Sequence, residues 1–246
     1  MATAASPVVR WHNDRLFYTG AGLFVAIVTF TGFAQSYYLS RWLEPPANAP
    51  RITALLAIHA AVFTAWVTLM VMQPMLIAWK NRKLHRKLGY VGAGIAASMV
   101  IFGNFAAIAA MDGGFVGFGD PHAFYAIPFF DINSFAVVVA LAVLWRNRAE
   151  THKRLILLAN VAILSAAVAR IPLPAVQAGA PFTFILLPFL IVVAGALYDK
   201  VSGGRIHPVW IWGGAGLLVA KLIPLPLMGS GAWLAFARFM SGLALP

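Results

Sequence analysis

Residues 52–79 read ITALLAIHAAVFTAWVTLMVMQPMLIAW, residues 80–87 read KNRKLHRK, and residues 88–111 read LGYVGAGIAASMVIFGNFAAIAAM. The two flanking stretches contain no Asp, Glu, Lys or Arg. Each is longer than the roughly 20 apolar residues that an α-helix needs to cross a bilayer. The eight residues between them include Lys80, Arg82, Lys83, Arg86 and Lys87. Two apolar spans joined by a short basic loop form a helical hairpin whose loop stays on the cytoplasmic side. The pattern continues in both directions. Further apolar runs occupy about 16–39, 123–145, 154–172, 182–198 and 207–227. A last apolar segment, 232–245, is short and contains Arg238, so it is expected to lie in the interface.

The expected fold is therefore all-α: a polytopic transmembrane helix bundle of about seven spanning helices in one transmembrane domain, 1–246. Composition agrees. Of the 246 residues, 61% are hydrophobic and 10% charged. A soluble domain carries roughly 25% charged residues. Barrel strands would be about 10 residues long with alternating polarity, far shorter than these runs. The formal charge of +11 does not mark a nucleic-acid binder, because the cations cluster between apolar runs rather than along one face. There is no cysteine, which excludes disulfides, thiolate metal sites and cysteine nucleophiles.

Orientation follows from the loops. Thirteen of the 18 Lys and Arg residues fall in one set: Arg10 and Arg15, the 80–87 loop, Arg146 to Arg154, then Lys200 and Arg205. The other set holds four of the seven acids. The alternation puts the N-terminus inside. Two of the inner loops also resemble each other. Trp79-Lys80-Asn81-Arg82 and His85-Arg86-Lys87-Leu88 match Trp145-Arg146-Asn147-Arg148 and His152-Lys153-Arg154-Leu155, with the spacing changed by one residue. This suggests parallel hairpin repeats, although Trp, Lys and Arg recur at inner interfaces for general reasons.

Helical rise turns position into depth. Asp131, Asn104, Arg170 and Lys221 lie about 21–24 Å above the inner ends of their runs, and His59 about 30 Å. Ionisable groups so deep are costly and normally face the bundle interior. Pro172, Pro174, Pro188 and Pro224 fall in the same half and would interrupt backbone hydrogen bonds there. These residues define a candidate outward-facing site for a small polar or anionic ligand: Asp131, Arg170, Asn104, Lys221 and His59. Each also has a plain structural explanation, such as a helix end for Arg170 or snorkelling for Lys221.

The histidines allow an alternative. A b-type haem needs two imidazoles facing each other across a bundle at equal depth. His85 and His152 share an inner level, while His59 and His122 share an outer one. Basic neighbours and a headgroup-level position explain the inner pair without haem. No His-Glu-x-x-His or comparable metal spacing occurs, so no metal site is expected. No soluble-type catalytic triad is visible, and nothing in the sequence points to an enzyme activity. Gly89, Gly92 and Gly94 read as close helix packing. Thr64, Thr68 and Gln73 are expected to bond to backbone or to neighbouring helices.

The pattern His59-x-x-x-Phe63-x-x-Trp66, then Gln73, then His85-Arg86-x-x-Gly89 resembles a family of uncharacterised bacterial membrane proteins, and His152-Lys153-Arg154-Leu155 looks similar to a later helix start in that family. The resemblance covers about 52–170. It implies a helical fold in the bacterial inner (cytoplasmic) membrane and no established activity. Three functional classes stand at this level. One is a ligand-binding or transport protein with its site in the outer half. The others are a haem b electron-transfer protein and a structural or assembly subunit of a membrane complex. The expected partners are the lipid bilayer, a small-molecule ligand and complex subunits, with no nucleic acid.

Overall fold

The computed structural model describes residues 7–46, 49–112 and 119–242. Residues 1–6, 47–48, 113–118 and 243–246, which include the end of the last apolar segment, lie outside the described residues. The long helices are α1 (Pro7–Phe33), α2 (Ala54–Ala78), α3 (Arg82–Asp112), α5 (Ala126–Leu144), α6 (Ala149–Val168) and α8 (Phe182–Gly203). Shorter ones are α4 (Pro121–Phe124), α7 (Pro174–Ala178), α9 (Gly214–Leu222), α10 (Pro224–Leu227) and α11 (Gly231–Ser241). One π-helical turn, Ala34–Tyr38, extends α1, and another, Val209–Gly213, leads into α9. Among the described residues there is no strand.

Seven stretches are long and apolar enough to cross a membrane: Asp14–Tyr38, Ala54–Ala78, Arg82–Asp112, Pro121–Leu144, Ala149–Val168, Phe182–Gly203 and Val209–Leu227. The chain is a multi-pass integral membrane protein. The helix ends differ from the sequence reading for local reasons. The third span begins at Arg82 instead of 88, because Asn81 caps it: Leu84 N–H donates to Asn81 Oδ1 at 3.1 Å. The fifth ends at Val168 instead of 172, because Pro172 and Pro174 cannot continue a helix. Pro188 stays inside α8, and Pro224 opens α10.

Five helices form a closed ring in the order α1, α2, α3, α5, α6, with α6 packed back on α1. Helix α8 packs outside against α6 and α1, and α9 against α5 and α6. Helix α6 is the central post, with 67% of its span buried against at most 33% for any other. It can therefore carry polar residues that lipid would not tolerate. Close approach needs small residues. A Cβ on Gly22 would lie 2.5 Å from the Met70 carbonyl oxygen. That carbonyl is the one deprived of its helical donor by Pro74. A Cβ on Gly32 would overlap the Ala167 backbone. Thus α1 docks on α2 and α6 through two glycines. At the end away from the basic loops, α11 lies across α3, α4 and α5. Trp233 and Ala237 pack there against Tyr125, Ala126 and Ile108, and Trp233 Nε1 donates to the His122 carbonyl at 3.0 Å.

Candidate functional site

Asp131 on α5 and Lys221 on α9 meet in the outer half, with Lys221 Nζ 2.6 Å from Asp131 Oδ1. Ser165 on α6 donates to Asp131 Oδ2 at 2.6 Å and accepts from Lys221 at 2.7 Å. Lys221 also donates to the Ala162 carbonyl at 2.6 Å. All three ammonium protons therefore have acceptors, and both carboxylate oxygens are engaged. All three side chains are buried. This is a closed, mutually satisfied cluster, which is the arrangement in which buried charge is tolerated.

The other residues read at that depth take different partners. Asn104 donates to the Val100 carbonyl at 2.8 Å and accepts from Asn133 at 3.4 Å. Arg170 donates to the Ala166 carbonyl at 2.7 Å, and its guanidinium lies over the Phe33 ring at 4.9 Å. His59 stacks on Phe63, ring centroids 4.2 Å apart. His122 lies at the start of α4, its backbone N–H capped by Asp120 at 2.9 Å. Thr64 and Thr68 bond back to the Ala60 and Thr64 carbonyls.

The basic end holds a second network. Arg154 and Asp199 form a buried bidentate pair between α6 and α8, through Nε at 2.8 Å and through the Nη2–Oδ1 contact. Arg154 Nη1 also reaches Glu150 Oε2 at 2.8 Å. Lys153 bridges Glu150 and Asp14, at 2.9 and 2.8 Å, and Tyr198 donates to Asp14 at 2.6 Å. Sequence reasoning missed these three acids. They are the only acids in a region dominated by Lys and Arg, which was the available signal.

Beside that network lies a cavity of about 530 Å³, inside the five-helix ring at its basic end. Trp66, Leu69, Met70, Val139, Val143 and Ile156 give it apolar walls. Gly89, Gly92 and Ala93 line its α3 side with small residues. Arg15, Arg82, Arg146 and Lys153 stand at the ring's basic end beside Asp14 and Glu150, four cations against two acids. The deep wall is held by Asn160, which accepts from Trp66 Nε1 at 3.1 Å and donates to Met70 Sδ at 3.2 Å.

Two histidines line this cavity from non-adjacent helices, His85 on α3 and His152 on α6. His152 Nδ1 lies 2.8 Å from the Ala142 carbonyl. A carbonyl only accepts, so Nδ1 carries the proton and Nε2 keeps its lone pair. The Gln73 side-chain amide lies against His85 Nδ1 and against the Gly89 N–H. Where the amide oxygen faces Nδ1, Nδ1 carries the proton and Nε2 keeps a lone pair; where the amide NH2 faces it and the amide oxygen accepts from the Gly89 N–H, Nε2 carries the proton. Among the described residues no group of three or more His, Cys, Asp or Glu is placed to hold a metal ion. Comparison with protein-family models, with curated proteins and with solved structures found no match for this chain.

Proposed function

We propose that this membrane protein binds a small amphipathic ligand, with an apolar body and an anionic end, in the cavity at its basic end. By the positive-inside rule that end is cytoplasmic. The observation that carries the reading is the pairing of apolar walls with a cationic rim around one space of about 530 Å³. That volume falls within the roughly 300–1,000 Å³ of ordinary ligand sites. The outer cluster of Asp131, Ser165 and Lys221 supports this choice of site by contrast, since its charges already satisfy one another.

The chain has no cysteine, so one engineered cysteine is its only thiol. Ala93→Cys places it on the cavity wall. Val137→Cys places it on an exposed apolar surface of α5. A membrane-impermeant maleimide should label Ala93→Cys only from the cytoplasmic face of sealed vesicles and should leave Val137→Cys unlabelled. Anilinonaphthalene sulfonate, with apolar rings and an anionic group, should slow the labelling of Ala93→Cys. Arg82→Gln with Arg146→Gln should weaken that protection. Labelling from the opposite face, or no protection at any concentration, would remove the reading.

A further inference from the structure

We infer that the occupant is an iron tetrapyrrole, with His85 Nε2 and His152 Nε2 as its two axial ligands and its carboxylates at the cationic rim. This rests on the ligand-binding reading of the cavity and names the ligand class. The two hairpins of matching sequence, α2–α3 and α5–α6, each contribute one histidine, in His85-Arg86-Lys87-Leu88 and His152-Lys153-Arg154-Leu155. Other equivalent positions line the same space: Gln73 with Val139, Ile77 with Val143, and Gly89 with Ile156. Two copies of one motif thus line the cavity from equivalent positions, with one histidine in each. A metal-centred disc that takes the same ligand on both faces is the chemistry that fits such a pair.

The surroundings fit in three further respects. His152 Nδ1 is held by the Ala142 carbonyl, and His85 Nδ1 lies against the Gln73 amide, which supports ligation through Nε2 when its oxygen faces the ring. Such outer partners orient metal-bound imidazoles and raise their basicity. The α3 wall presents Gly89, Gly92 and Ala93, and a Cβ on Gly89 would meet no atom within 4 Å. That leaves space where a ring can lie. Arg82 and Arg146 supply planar guanidinium groups, which suit carboxylate recognition. An iron held on both faces by imidazole has no open coordination position, so the site would neither bind nor activate dioxygen.

The test is titration of the purified full chain with hemin, read by absorption before and after dithionite and by electron paramagnetic resonance. The expected product is one six-coordinate, low-spin iron per chain. His85→Ala and His152→Ala should each lose the low-spin signal, and added imidazole should restore it, which separates ligation from folding. His59→Ala and His122→Ala should leave the spectrum unchanged. Gly89→Phe should block hemin and the naphthalene sulfonate alike. Low-spin iron that survives either His85→Ala or His152→Ala would overturn the assignment. So would failure of hemin to bind while the sulfonate still protects Ala93→Cys, in which case the cavity reading stands alone. Failure of both probes would remove both readings.

Discussion

His207 joins two helices at a turn and contacts both. Its backbone N–H donates to Asp199 Oδ2 at 3.1 Å, and its Nδ1 accepts from the Val209 N–H at 3.2 Å. Partial burial, helped by the Arg154 cation, holds the ring below the ordinary histidine value. Folding therefore favours the neutral ring, and the unfolded chain binds the proton more readily. The stability contributed is fully present above about 6.5, the unperturbed value, and is lost as pH falls through the lower folded value. Protonation at Nδ1 would also remove the acceptor for Val209. The melting midpoint of the wild type in detergent should decline from pH 7.5 to 5, and His207→Asn should decline less. Parallel curves for the two proteins would show that His207 has no part in the acid response. The same scale shows what depth alone can reveal. The fixed rise of a helix placed Asp131 and Lys221 at one level, and they meet. Asn104 and Arg170 share that level but point elsewhere. Rotation about a helix axis is set by packing against neighbours, and a uniformly apolar span carries little signal for it.

For helices, existence was legible and ends were less so. All seven spans follow from apolar length, because lipid demands about 20 such residues whatever the tertiary contacts. The ends depend on single residues such as Asn81 and Pro172, which act within one turn. Helix α6 is the least apolar of the seven spans for a physical reason. It is shielded from lipid by its neighbours, so it holds Arg154, Asn160 and Ser165 in its interior. The docking of α1 yields a clean contrast. A Cβ on Gly20 would meet no atom within 4 Å, whereas one on Gly32 would run into the Ala167 backbone. Gly20→Ala should stabilise by about 0.5–1 kcal/mol through helix propensity alone. Gly32→Ala should destabilise by about 1–3 kcal/mol, since backbone cannot yield as a side chain can. Thermal midpoints of the two variants should move in opposite directions. Equal shifts would mean that α1 does not approach α6 so closely.

Across the whole molecule, the two halves of the bundle are built differently. The matching hairpins were visible in the sequence, but that their equivalent positions enclose a cavity was not. Enclosure depends on α1 closing the ring, and α1 carries no copy of the motif. The basic half is left open around His85 and His152, while the outer half is closed by Asp131, Ser165 and Lys221. A closed ion pair predicts a particular order of mutant stabilities. Lys221→Met leaves the Asp131 carboxylate buried against Ser165 without a cation, and should cost about 3–5 kcal/mol. Asp131→Leu combined with Lys221→Met removes both charges, and apolar replacement of a buried pair is often neutral or better. The double variant should therefore melt well above the single one. It should also keep the cytoplasmic labelling of Ala93→Cys, because the pair lies in the other half of the bundle. If the double variant instead lost that labelling, or melted no higher than Lys221→Met, the outer charges would belong to the ligand site and the two halves would act as one.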